Sequence, residues 1–67
     1  MNVIVVNEGD YILQKPTQLV DLVSQLSLQG KTLAVERNRE IVPRSQFAVT
    51  ELKNGDVLEI IVAVGGG

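Results

Sequence analysis

The sequence predicts an α+β fold: one helix packed on a mixed sheet of four or five strands. Three observations carry this. Apolar, largely β-branched runs stand near both ends, "VIVV" at residues 3–6 and "VLEIIVAV" at residues 57–64. Only one stretch, after Thr17, repeats apolar residues at helical spacing. The apolar runs between are short and separated by turn-forming residues.

Taken in order, "VIVV" is closed by "NEGD", and "YIL" at residues 11–13 returns antiparallel, giving a hairpin with a four-residue loop. Pro16 punctuates, and Thr17 is the expected N-cap, its hydroxyl accepting from a free first-turn amide. Leu19, Leu22, Val23 and Leu26 follow at i, i+3, i+4 and i+7, one stripe of a helix of about ten to twelve residues. Gln18, Asp21, Ser24 and Gln25 take its wet side, and Gly30 fits the left-handed residue that ends it. "TLAVE" (32–36) is the next strand, with Leu33 and Val35 inward; Asn38 sits in a turn and "EIV" (40–42) pairs back. Phe47 anchors the irregular stretch that follows. A short strand ends at Leu52, and Asn54-Gly55 suits the positive φ values of a tight turn before the last strand.

Composition removes several function classes. The 67 residues make one domain and too small a core for two. Six cations are scattered among eight anions, and Tyr11 and Phe47 are the only aromatics, so no basic or stacking surface for nucleic acid is expected. No apolar run reaches the roughly 18–20 residues of a membrane span. A basic leader with a cleavage site is not apparent at the start, so no export is expected. The absence of cysteine removes disulfides and thiolate metal sites, as suits a reducing cytoplasm. Without His or Cys, Ser24, Ser27 and Ser45 have no partner for nucleophilic catalysis. The carboxylates show no metal-ligand spacing, and no catalytic residue or bound cofactor is assigned. The chain reads as a substrate, carrier or adaptor rather than a catalyst.

Two features point to partners. Near-continuous apolar strands belong to sheets covered on both faces, yet one helix covers only one. On the last strand Glu59 marks the solvent side, so Leu58, Ile60 and Val62 face the helix. Ile61 and Ala63, joined by Val5 of the first strand, are left as an uncovered apolar patch of the kind that binds partners, unless the sheet curls to bury it. The second feature is Gly65, Gly66 and Gly67, a flexible tail after a domain spanning residues 1–64. Three side-chain-free residues reach about 10 Å and can enter a narrow channel to present a carboxylate. A frayed end is the plain alternative.

"LAVERNREIVPRSQF" (33–47), "NGDVLEI" (54–60) and the closing glycines resemble the ThiS family of sulfur carriers of thiamine biosynthesis, over nearly the whole chain. The glycines and the "GD" before the last strand are common to ubiquitin-like carriers; "VERN…IVPR" with an aromatic three residues on is more specific. The resemblance implies a β-grasp (ubiquitin-like) fold with first and last strands parallel at the sheet centre. It also implies that an E1-like adenylyltransferase (ThiF-like) uses ATP and magnesium to adenylate the Gly67 carboxylate. Sulfur from a donor enzyme's persulfide then leaves a thiocarboxylate, which a thiazole synthase (ThiG-like) accepts. Gly67 matches the terminal acceptor and Gly66 its neighbour, while Gly65 is a third glycine that some members lack. Arg44, beside Pro43, is a candidate to pair with an acidic residue of a partner. Two rival readings stand beside this one: a ubiquitin-like protein modifier, and a sulfur carrier for molybdopterin or tRNA thiolation.

Overall fold

A computed structural model describes residues 1–63. β-Branched Val3–Val6 favours extended backbone, and β1 (Asn2–Val6) pairs antiparallel with β2 (Gly9–Leu13). Helix α1 (Leu19–Gln25) crosses to β3 (Leu33–Arg37), which turns back as the two-residue β4 (Glu40–Ile41). A 3-10 helix, Arg44–Val49, leads to β5 (Val57–Val62). The sheet order is β2-β1-β5-β3-β4, with β1 and β5 parallel and every other neighbour antiparallel. The longest strand, β5, therefore lies at the centre, with β1 beside it, as the β-grasp expectation requires.

The core fills the space between sheet and helix. Ile4, Leu13, Val35, Leu58 and Ile60 point in from the strands, and Leu19, Leu22 and Val23 meet them from α1. Phe47 and Leu52 close the end of this layer, and Phe47 is the expected anchor of its loop. Burying each large apolar side chain stabilises the fold by about 1.5–3 kcal/mol, which a 67-residue chain needs from nearly all of them.

Several local expectations give way. The first hairpin has a two-residue loop, not four: Asn7 and Glu8 adopt φ of 50° and 74°, and Val6 pairs directly with Gly9. Asn38 and Arg39 repeat the geometry at 52° and 71°. Both are the mirror-image turns whose twist matches the strands, and an asparagine first makes each possible without glycine. At Asn54-Gly55 only Gly55 takes a positive φ, +87°.

Helix α1 has seven residues and is capped by Gln18, not Thr17. Thr17 is committed elsewhere: its hydroxyl donates to the Lys15 carbonyl (2.8 Å) and its own carbonyl accepts from Leu52 (2.9 Å). The helix also stops before Gly30. Leu28 N–H donates to Val23 O and Ser27 N–H to Ser24 O, closing a left-handed C-terminal turn with Ser27 at φ 61°. The expected short strand near Leu52 reduces to a single bridge between Gln18 and Glu51.

Candidate functional site

Side chains alternate along a strand, so the register of β5 decides what each face offers. Leu58 and Ile60 are buried and Val62 half-buried on the helix side. Val57, Glu59 and Ile61 take the other face, which no element among the described residues covers. Cross-strand partners share a face. Ala34 therefore lies beside Ile61, Glu36 beside Glu59, Ile41 beyond Glu36, and Val5 beside Val57. Val3 and Ile12 continue the surface across β1 and β2. Ile61 is 62% exposed and Ile41 77%, with Val57, Ile12 and Val3 exposed as well. A shallow concavity bounded by Glu36, Arg39, Val57, Glu59 and Ile61 lies on this face.

The strand that carries the face is gripped from both flanks. On one side β1 ends at Val6, and the Asn7 side chain takes over as a surrogate peptide. Its Oδ1 accepts from Ile60 N (2.7 Å) and its Nδ2 donates to Ile60 O (3.0 Å). On the other side Asn38 Oδ1 accepts from Val57 N (2.9 Å) and its Nδ2 donates to Asp56 (3.0 Å). Both asparagines are the first residues of the mirror-image turns, so each turn geometry aims a carboxamide at β5.

Asp56 anchors the start of β5. Only 6% exposed, it accepts from Arg37 Nε (2.9 Å), the Lys53 amide (2.8 Å) and Asn38. Burial alone pushes its carboxyl up, but the Lys53 amide, Asn38 and the Arg37 charge together outweigh burial and hold it below the ordinary 3.8.

Of the residues singled out from sequence, Ile61 and Ala63 are exposed on the open face, and the Ala63 amide donates to Thr32 O (2.9 Å). Val5 lies on the same face but is half-buried, and its register beside Val57 puts it at the opposite end of β5 from Ile61. Arg44 does not join them. It opens the 3-10 helix that packs on α1, and its Nη2 donates to the Lys31 carbonyl (2.9 Å). Gly65, Gly66 and Gly67, with Val64, lie outside the described residues. Ala34, Glu36 and Ile41 were not singled out, although the alternation of "TLAVE" already sends Ala34 and Glu36 outward. Among the described residues no cluster of His, Cys, Asp or Glu could hold a metal. No described helix is long and apolar enough to cross a membrane.

Comparison with known proteins gives a concordant result. The ThiS family model matches residues 4–67. The sulfur carrier protein ThiS of Bacillus subtilis is 39% identical over 62 residues, covering 91% of this chain and 94% of that protein. A thiazole synthase of Paramagnetospirillum magneticum is 46% identical over 46 residues, 69% of this chain but only 14% of the synthase's length. The crystal structure of a thiamine biosynthesis protein (ThiS) from Geobacter metallireducens superposes with a TM-score of 0.81 at 29% identity, covering 97% of this chain and 99% of that one. Sequence, fold and topology thus converge, and the chain belongs to the ThiS family, the sulfur carriers of thiamine biosynthesis.

Proposed function

We propose that this chain carries sulfur as a thiocarboxylate on Gly67 and takes no catalytic part itself. An adenylating enzyme joins the Gly67 carboxylate to the α-phosphate of ATP, with magnesium, and pyrophosphate leaves. The terminal sulfur of a donor enzyme's persulfide then attacks the acyl carbon and AMP departs. A second thiol cleaves the sulfur–sulfur bond and leaves the thiocarboxylate. A thiazole synthase takes the sulfur, and hydrolysis restores the carboxylate. The chemistry suits this sequence, because without His or Cys the body offers no competing nucleophile of the usual kinds.

The observation that carries the reading is the open apolar face running along β5 to Ile61 and Ala63. Whatever path it takes, the chain from Ala63 to Gly67 spans at most about 14 Å. An enzyme working on Gly67 must therefore touch the body close to this face. Docking there makes attack on the activated carboxyl nearly intramolecular, which accelerates it strongly. The thiazole synthase relative, part of which resembles this chain, supports placing the two proteins in consecutive steps.

The test is intact-mass spectrometry after incubation with the adenylating enzyme, ATP, magnesium and a persulfide donor. The expected gain is one oxygen-to-sulfur exchange at the C-terminus, abolished by deleting Gly67. A ladder of lysine conjugates in cell extract would instead make the chain a protein modifier. Rescue of a molybdoenzyme or tRNA-thiolation defect, without rescue of thiazole auxotrophy, would move it to another pathway.

A further inference from the structure

Glu36 of β3 and Glu59 of β5 stand directly opposite one another on the open face. Opposed residues on antiparallel strands have Cβ atoms about 5 Å apart, and like charges there destabilise a sheet. Both side chains are exposed. The ion pairs among the described residues, Arg37–Asp56 and Lys53–Glu51, involve neither of them. Arg39 borders the same concavity without pairing to either carboxylate. The pair is also set within apolar surface. Ile61 and Ala34 form the row on one side, Val57 lies on the other, and Ile41 flanks Glu36. The face thus presents two opposed carboxylates within an apolar border, with the Arg39 guanidinium at the edge of the same concavity.

A cation placed between the carboxylates relieves that repulsion, so the arrangement favours the bound state over the free one. A second copy of this chain is a poorer occupant than a basic partner, because two-fold pairing through the face would gather four carboxylates against only two Arg39 guanidinium groups. The charge calls for a basic partner. Resting on the sulfur-carrier reading, we propose that Glu36 and Glu59 together receive a Lys or Arg of the adenylating enzyme, while apolar residues around that cation cover Ile61, Ala34 and Val57. Of the enzymes that reading invokes, this one must gather a triphosphate and a carboxylate at one centre, which demands a cationic rim. The reach from Ala63 to Gly67 brings that rim within about 14 Å of the open face.

The experiment compares wild type with Glu36→Gln/Glu59→Gln and with Glu59→Gln alone. The unfolding midpoint of each free protein is measured, then its Kd for the purified adenylating enzyme by calorimetry at low and high salt. Neutralisation is expected to leave the midpoint unchanged or raised. It should weaken binding at least about tenfold for the double variant and flatten its salt dependence. Glu51→Gln, whose carboxylate pairs with Lys53 off this face, should bind as wild type does. Binding by the double variant within about twofold of wild type, or a lowered midpoint, would overturn the proposal. So would an effect confined to the thiazole synthase, titrated in parallel. If wild type still gains its sulfur while the double variant binds normally, only the charge pairing fails. If wild type is never adenylated, the carrier reading itself fails.

Discussion

Replacing Asp56 with alanine should be among the most damaging single changes in the domain. The carboxylate is buried and holds three donors: Arg37 Nε, the Lys53 amide and Asn38 Nδ2. Hydrogen bonds to a charged group contribute about 1.5–3 kcal/mol each, although losses within one network are not additive. Arg37 is 30% exposed and can turn to water, so its share falls to the 1 kcal/mol or less, roughly, of a surface pair. The Lys53 amide and Asn38 supply the remainder, for a total near 3 kcal/mol. A 67-residue domain has only about 3–10 kcal/mol in all, so the variant loses at least about a third of its stability. The thermal midpoint should drop by roughly 12–24 °C, read by circular dichroism. The pH dependence separates the carboxylate's charge from mere packing. Because the folded-state value lies below 3.8, the unfolded chain binds the proton more readily. The contribution is complete above that value and drains away as pH falls through the lower folded-state one. The gap between wild type and the isosteric Asp56→Asn should therefore be full at pH 7 and shrink below 3.8. A loss under about 1 kcal/mol for the alanine variant would refute the reasoning, as would a wild-type–Asn gap indifferent to acid.

Asn7→Ala removes both bonds to Ile60 and leaves alanine at φ 50°, costing about 2–3 kcal/mol; hydrogen exchange at the Ile60 amide should accelerate sharply. Normal protection there would show that the side-chain bridge is dispensable. Ser27→Gly relieves a left-handed φ of 61° and should stabilise by roughly 0.5–1 kcal/mol in urea titration; a loss would mean the serine side chain matters more than its backbone. Ile61→Glu, on an exposed site, should change stability by less than about 0.5 kcal/mol yet abolish co-purification with the adenylating enzyme; an unfolded variant would show it to be core.

Much of this was legible because patterning and burial coincide. The stripe of Leu19, Leu22, Val23 and Leu26 marks the face that α1 buries. The parity of Glu59 separates the covered face of β5 from the open one, which is why Ile61 could be named from sequence. What escaped depends on contacts distant in the chain or on rarely used backbone. Gly30 does take a positive φ, +83°, but nothing in "QLSLQG" says that the helix closes three residues earlier, at Ser27, because the bond that fixes this, Leu28 N to Val23 O, follows from how Leu28 packs on the core. Thr17 has the right side chain for a cap, but its backbone is claimed by Leu52, 35 residues on. Ile41 emerges as part of the open face only once β4 pairs with β3. Arg44 reads as a free cation until the 3-10 helix turns it toward Lys31.

The paired asparagines have a mechanical consequence. Met1 and Ala63 lie at opposite ends of two parallel neighbours, so a pull between these two residues slides β1 and β5 along one another instead of unzipping them. Under sliding load the bonds from Val5, from the Asn7 backbone and from the Asn7 carboxamide share the strain at once, and none is peeled first. A pull on β5 from its Ala63 end therefore strains a strand clenched on both flanks, and the body should hold its shape under such a load.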